Sequence, residues 1–208
     1  KSIVLAHAGL DVSAIRAYLL SIINGDSGWG VTEGVESDIK RTALALHALR
    51  AANYSDQTVI QSAINYLLST QNSDGGWGFY QGDESSVYMT AMVSMTLQQF
   101  PQTISLATAI NKATSYLIAH QNADGGFGSS SSTVYETAYA YIALVGVTTD
   151  NTVLGNAINY LTTTQQTNGS WNDDPYSTAL ALRALYLSEN KPVPPSPRWG
   201  RSSPSSPR

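Results

Sequence analysis

Four in-register positions and one neighbouring acid are the side chains best placed to do chemistry. Lys40, Tyr88, Tyr135 and Tyr176 each stand two residues before a recurring Thr-Ala pair, and Glu136 follows Tyr135. Tyrosine offers an apolar ring with a hydroxyl tip, so a row of such rings can grip an apolar or sugar-like ligand. The plainer role for the same rings is packing against adjacent loop aromatics. Glu136 falls at the start of an apolar segment. It either faces the mouth of a cavity or complements the positive end of a helix.

Other chemistries are excluded by what is missing. The chain has no cysteine, which removes disulfides, thiolate nucleophiles and Cys-based metal sites. Its three histidines, His7, His47 and His120, form no H-E-x-x-H pattern, so neither a metal nor a cofactor is expected. His47 lies among apolar residues and reads as a core histidine. The Gly-rich stretches Asp26 to Gly30, Asp74 to Gly78 and Asp124 to Gly128 lack a P-loop lysine and an EF-hand ligand ladder. They read as turns in which Asp bonds its own backbone and Gly takes positive φ. Glu33, Glu36, Asp83 and Glu84 read as a solvated acidic rim.

The elements that must position these residues are repeats. Tyr18, Tyr66, Tyr116 and Tyr160 open four segments spaced 48, 50 and 44 residues apart. Each runs through an apolar stretch into a Gly-aromatic loop, near residues 24–30, 72–78, 122–128 and 166–172, ending on Trp29, Trp77, Phe127 or Trp171. Thr42-Ala43, Thr90-Ala91, Thr137-Ala138 and Thr178-Ala179 follow those loops. Asp38, Ser86, Thr133 and Asp174 precede these threonines by four residues and are good N-caps; Pro175 suits a first helical position. Each unit is thus a helix, a Gly-rich loop and a second helix. The first helix is amphipathic, as Ile60, Ala63, Ile64, Leu67 and Leu68 show, and the second is apolar on most sides. This predicts two layers, amphipathic helices outside and apolar helices inside. Ser2 to Gly9 read as the end of an earlier inner helix.

Composition sets the context. The 208 residues are 42% hydrophobic and only 12% charged, with 26 Ser, 19 Thr, 12 Asn and 10 Gln in place of the usual charges. Such a surface leads us to expect an exported or cell-surface protein whose signal peptide is not in this sequence. Residues 192–208 hold six of the eight prolines, five serines and three arginines, and read as a linker or appended tail. Residues 1–191 form the repeat domain, with eight basic and fifteen acidic side chains. No basic stripe is present to meet a phosphate backbone, so no nucleic-acid partner is expected, and no apolar run is long enough to span a bilayer.

The Tyr-Leu-x-x-x-Gln-x-x-x-Gly-x-Trp pattern of Tyr66 to Trp77 resembles the QW repeat of squalene–hopene and oxidosqualene cyclases. Asp124 to Gly128 also resembles the Gly-Gly-Phe-x-Gly of protein prenyltransferase β subunits. The resemblance implies an all-α fold, an α/α toroid of helical hairpins that also occurs in transcobalamin-type proteins. At this spacing, residues 1–191 supply only part of a closed ring. The resemblance further implies that Gln71, Gln121 and Gln165, with Trp29, Trp77, Phe127 and Trp171, tie each outer helix to a neighbouring loop. Ile23 replaces the glutamine of the first repeat, implying a weaker tie there.

The chemistry of these families carries over poorly. Their cyclases protonate an alkene with D-x-D-D, whereas this chain offers Asn172-Asp173-Asp174-Pro175, which reads as an N-cap with a solvated neighbour. A Cys-containing zinc site cannot be built, nor a Cys-Gly-Glu-Gln thioester. No catalytic residue is therefore expected. Three readings remain. One is a non-catalytic module that binds an apolar small molecule or glycan, or joins a neighbouring domain. Another is a fragment of an isoprenoid cyclase or transferase whose catalytic residues lie elsewhere. The third is a scaffold whose open ring edge pairs with a second copy to give a homodimer.

Overall fold

The computed structural model describes residues 12–190. The early inner-helix end read at Ser2 to Gly9 and the tail at 192–208 lie outside the described residues. Among the described residues, eight helices alternate between two layers. The outer layer is α1 (Ser13–Ser21), α3 (Gln57–Ser69), α5 (Ile104–Ala119) and α7 (Asn151–Thr163). The inner layer is α2 (Ile39–Ala51), α4 (Val87–Leu97), α6 (Val134–Leu144) and α8 (Pro175–Glu189). Inner helices pack on one another in chain order, and α3, α5 and α7 each lie against the inner helix before them. This is the α/α toroid arrangement, and among the described residues it contains isolated bridges but no strand.

Local chemistry fixes the helix starts. Asp38, Ser86, Thr133 and Asp174 are the inner-helix N-caps, each accepting from a backbone N–H three residues on. The apolar character of the inner helices follows from their place: α4 buries nine of its eleven residues and α6 eight of its eleven. Alanine and threonine keep the inner helices slim, so they approach closely. Outer helices α3, α5 and α7 bury one stripe only, such as Ile60, Ala63, Ile64 and Leu67 on α3, and α1 buries no residue fully.

One hydrogen-bonded module recurs along the hairpins, without its indole tie in the third, where Phe127 replaces tryptophan. Trp29, Trp77 and Trp171 donate their indole N–H to the carbonyls of Leu19, Leu67 and Leu161 on the preceding outer helix, at 2.7–2.8 Å. The backbone N–H of Trp29, Trp77, Phe127 and Trp171 donates to the hydroxyl of Thr42, Thr90, Thr137 and Thr178, at 2.8–3.0 Å. All four rings are buried. The module therefore nails outer helix, loop and inner helix together while leaving no polar atom of the tie unpaired.

Candidate functional site

The repeat register aims the first turns of the inner helices at one end of the layer. Lys40, Tyr88, Tyr135 and Tyr176 come together there in that order. The Lys40 ammonium lies 5.2 Å from the centre of the Tyr88 ring. Tyr88 and Tyr135 stand 5.0 Å apart between centroids, and Tyr135 and Tyr176 stand 5.7 Å apart. Four different helices thus contribute one side chain each to a continuous strip.

Tyr139 completes the strip. It sits one turn below Tyr135 on α6, meets Tyr88 edge-on at 5.3 Å and Tyr135 at 5.1 Å, and shares a 2.7 Å hydroxyl–hydroxyl hydrogen bond with Tyr176. The sequence reading passed over it, although the four-residue step from Tyr135 places both rings on one helix face. Burial, followed by hydrogen bonding to Tyr88, pushes the Tyr135 phenol above its ordinary range. Burial and the bond to Tyr176 do the same for Tyr139. Both phenols stay neutral, so the strip is an uncharged aromatic wall with hydroxyl tips and one ammonium at its end. Such a wall offers apolar ring faces to a hydrocarbon and a π-surface to a cation.

Glu136 pairs with the cap of its own helix. Its carboxylate accepts from the Thr133 hydroxyl at 3.0 Å, and the Glu136 N–H donates back to the Thr133 oxygen. This reciprocal pairing is a capping arrangement at the start of α6. Asp173 and Asp174 are likewise loop and cap residues. Hydrogen bonds from Asn168 and Ser170 hold Asp173 below the ordinary carboxylate range, and those from Ser177 and the helix start do so for Asp174. A carboxylate held ionised is poorly suited to donating a proton. Asp38 pairs with Arg41 through its second oxygen, at 2.6 Å.

The glutamines tie neighbouring hairpins. Gln71 donates to its own loop at Gly75, 2.8 Å, and to Ala109 of α5, 2.9 Å. Gln121 repeats this with Gly125 and with Val153 of α7, both at 2.9 Å. Gln165 reaches only its own loop at Gly169. A feature the sequence reading did not single out is an apolar groove of about 400 Å³ between α1 and α2, lined by Tyr18, Leu19, Trp29, Val31, Leu44 and Ala48 among others. Among the described residues, no group of three His, Asp or Glu side chains gathers to hold a metal ion, and no helix is long and apolar enough to cross a membrane.

The family model of the squalene–hopene cyclase C-terminal domain matches residues 37–191, most of the chain. The chain belongs to this family. A solved cyclase-type structure shares the fold. The ent-copalyl diphosphate synthase from Streptomyces platensis superposes with a TM-score of 0.54 at 20% identity, over 88% of this chain and 48% of that one. This chain therefore spans about half the length of that synthase. The type II terpene cyclase MstE from Scytonema, in its apo form, aligns at 18% identity and a TM-score of 0.45, over 82% of this chain and 68% of the other. No curated protein sequence matches the chain.

Proposed function

We propose that this chain supplies an aromatic wall that binds an apolar, isoprenoid-like ligand, and that it does so without a proton-donating acid of its own. The observation that carries the reading is the contact of Tyr88, Tyr135, Tyr139 and Tyr176 across three inner helices. Four rings in mutual contact gain little from solvent exposure, and a hydrocarbon laid along them buries further apolar area. Membership of the squalene–hopene cyclase family supports an isoprenoid over a glycan as the occupant.

Titration of the purified chain with geranylgeraniol, followed by intrinsic fluorescence, tests this. Saturable binding is expected. A straight-chain alcohol of equal carbon number should bind more weakly, and Tyr135→Ala with Tyr139→Ala should abolish the response. Equal response to both alcohols, or full response in the double variant, overturns the reading.

A second reading is favoured by the family match itself. In it, the chain is one part of an isoprenoid cyclase, and the same wall lines a reaction cavity whose acid lies outside these residues. The two readings share the wall and differ in the chemistry. Incubating the chain alone with geranylgeranyl diphosphate and finding a cyclised product would contradict both, because each denies an acid to these residues.

A further inference from the structure

The register row of the wall holds three tyrosines and one lysine, and the lysine is the member that its own helix does not favour. Lys40 is the second residue of α2. A helix start carries the positive end of the macrodipole, so a cation there is disfavoured locally. Arg41 beside it is compensated. Its backbone N–H donates to one oxygen of the Asp38 carboxylate at 2.7 Å and its guanidinium to the other at 2.6 Å. Asp38 thus serves Arg41, and among the described residues no carboxylate lies within 4.0 Å of the Lys40 ammonium.

What Lys40 does meet is the Tyr88 ring, 5.2 Å from the ammonium to the centroid. Lys40 is half-buried, whereas Lys112 and Arg183, which also lack an ion pair, are exposed and keep their water. A cation that has lost part of its hydration and gained no anion sits at a cost that an incoming anion offsets. Next to it, Tyr88, Tyr135, Tyr139 and Tyr176 present only ring faces and hydroxyl tips. The row is therefore a hydrocarbon track with one positive charge beside Tyr88.

We propose that Lys40 is the specificity-determining residue of this wall, and that it selects an isoprenoid with an anionic head, a phosphate ester or a carboxylate, over a neutral one. The proposal rests on the isoprenoid-binding reading of the wall. The head lies at the Lys40 ammonium, and the chain runs over Tyr88 towards Tyr135 and Tyr176. An ammonium has three donors and no acceptor, so the edge that does not meet the Tyr88 face is left to the oxygens of the head. An anion outcompetes a hydroxyl there because the pair adds charge to the hydrogen bond.

Titrating the full chain with geranylgeraniol, geranylgeranoic acid and geranylgeranyl monophosphate, each followed by intrinsic fluorescence, tests this. The wild type should bind at least one of the two anions about tenfold more tightly than the alcohol, as expected of a hydrogen bond to a charged group. The tighter of the two names the head. Lys40→Met and Lys40→Gln should each bring that anion down to the affinity of the alcohol. Both should leave the alcohol itself unchanged, which also shows that they fold. Lys40→Arg should keep the preference. Arg183→Met should keep it too, although Arg183 follows Tyr176 by seven residues on the same face of α8. Raising the salt from about 0.05 M to about 0.5 M should narrow the ratio of anion to alcohol. Equal affinity for the alcohol and both anions in the wild type overturns the inference and leaves the wall reading standing. A preference that survives loss of the Lys40 charge, or that disappears in Arg183→Met, overturns it as well. If the wild type binds none of the three, the wall reading falls and the inference falls with it.

Discussion

The joint between the third and fourth hairpins and the far side of the fourth use the same residues to different ends. At the joint, Gln121 spans from its own loop to Val153 of α7, and Gly125 packs so close to α7 that an added methyl would meet the Asn156 carbonyl at 2.7 Å. In the fourth hairpin, Gln165 bonds only Gly169, and the space beside Gly169 is open. Both glycines hold φ of +84°. The repeat motif thus contains two separable devices. The tryptophan tie acts within one hairpin and is complete in the fourth. The glutamine–glycine tie acts between hairpins and is only half made there.

The largest effect sharpens this division. Trp77→Ala and Trp171→Ala each remove a fully buried indole together with its bond to Leu67 or Leu161. Each should cost about 3–5 kcal/mol, in the range for buried aromatic truncations. Because the tie is internal to a hairpin, the two losses should be similar. Chemical denaturation of both variants checks it; a much milder Trp171→Ala would mean that the tie draws on the next hairpin after all.

The glycines should part where the tryptophans agree. Gly125→Ala meets both a left-handed backbone and the Asn156 carbonyl, and about 3 kcal/mol of destabilisation is expected from the two together. Gly169→Ala meets the backbone strain alone, for about 1 kcal/mol. Thermal melts of the two variants give the ranking directly. Equal losses would mean that α7 yields to the methyl group.

Much of this was legible in the sequence because it is local. The Tyr-to-Trp spacing, the four N-caps and the apolar inner helices are set by short-range chemistry, and the hairpins follow from them. Lys40, Tyr88, Tyr135 and Tyr176 were picked out by register and lie in one strip because the toroid stacks first turns on first turns. Tyr139 was missed since its contacts with Tyr88 and Tyr176 lie on other helices; the four-residue step from Tyr135 announces the shared face but not those partners. The α1–α2 groove was missed for the same reason: it forms between two helices, and the exposure of Leu44 stands out only beside the covered Met92 at the same register position. Glu136 illustrates the converse. Its place in an apolar first turn left open a cavity role or a role at the helix start, and the structure adds a bond from the Thr133 hydroxyl to one oxygen of its carboxylate.

Tyrosine ionisation extends the contrast along pH. Burial, with nearby acids adding to it, pushes the phenols of Tyr66 and Tyr116 up to about 12, from an ordinary 10.0. Tyr135 and Tyr139 are raised as well. The folded chain therefore holds these protons after the unfolded chain has begun to release them. Their stabilising contribution is fully present below pH 10 and declines as pH rises through 10 towards 12. Denaturation midpoints should fall over that interval, and Tyr66→Phe should flatten the fall. An unchanged slope in that variant would show that Tyr66 titrates freely.

The smallest expected effect isolates the joint itself. Gln121→Ala removes the two bonds donated to the Gly125 and Val153 carbonyls and the long one, 3.5 Å, accepted from the Asn156 amide, so about 1–2 kcal/mol is expected. Gln165→Ala removes one exposed bond to Gly169 and should cost about 0.5 kcal/mol or less. Hydrogen exchange adds a test that global stability cannot supply. In Gln121→Ala, protection should drop first at the start of α7, where Val153 sits, while α1 and α2 keep theirs. In Gln165→Ala, no helix should lose protection beyond its own loop, because the partner that would share that bond is missing from the described fold. If the two variants prove equal in both measurements, the glutamine acts within its own loop, and the hairpins are held together by their apolar faces alone.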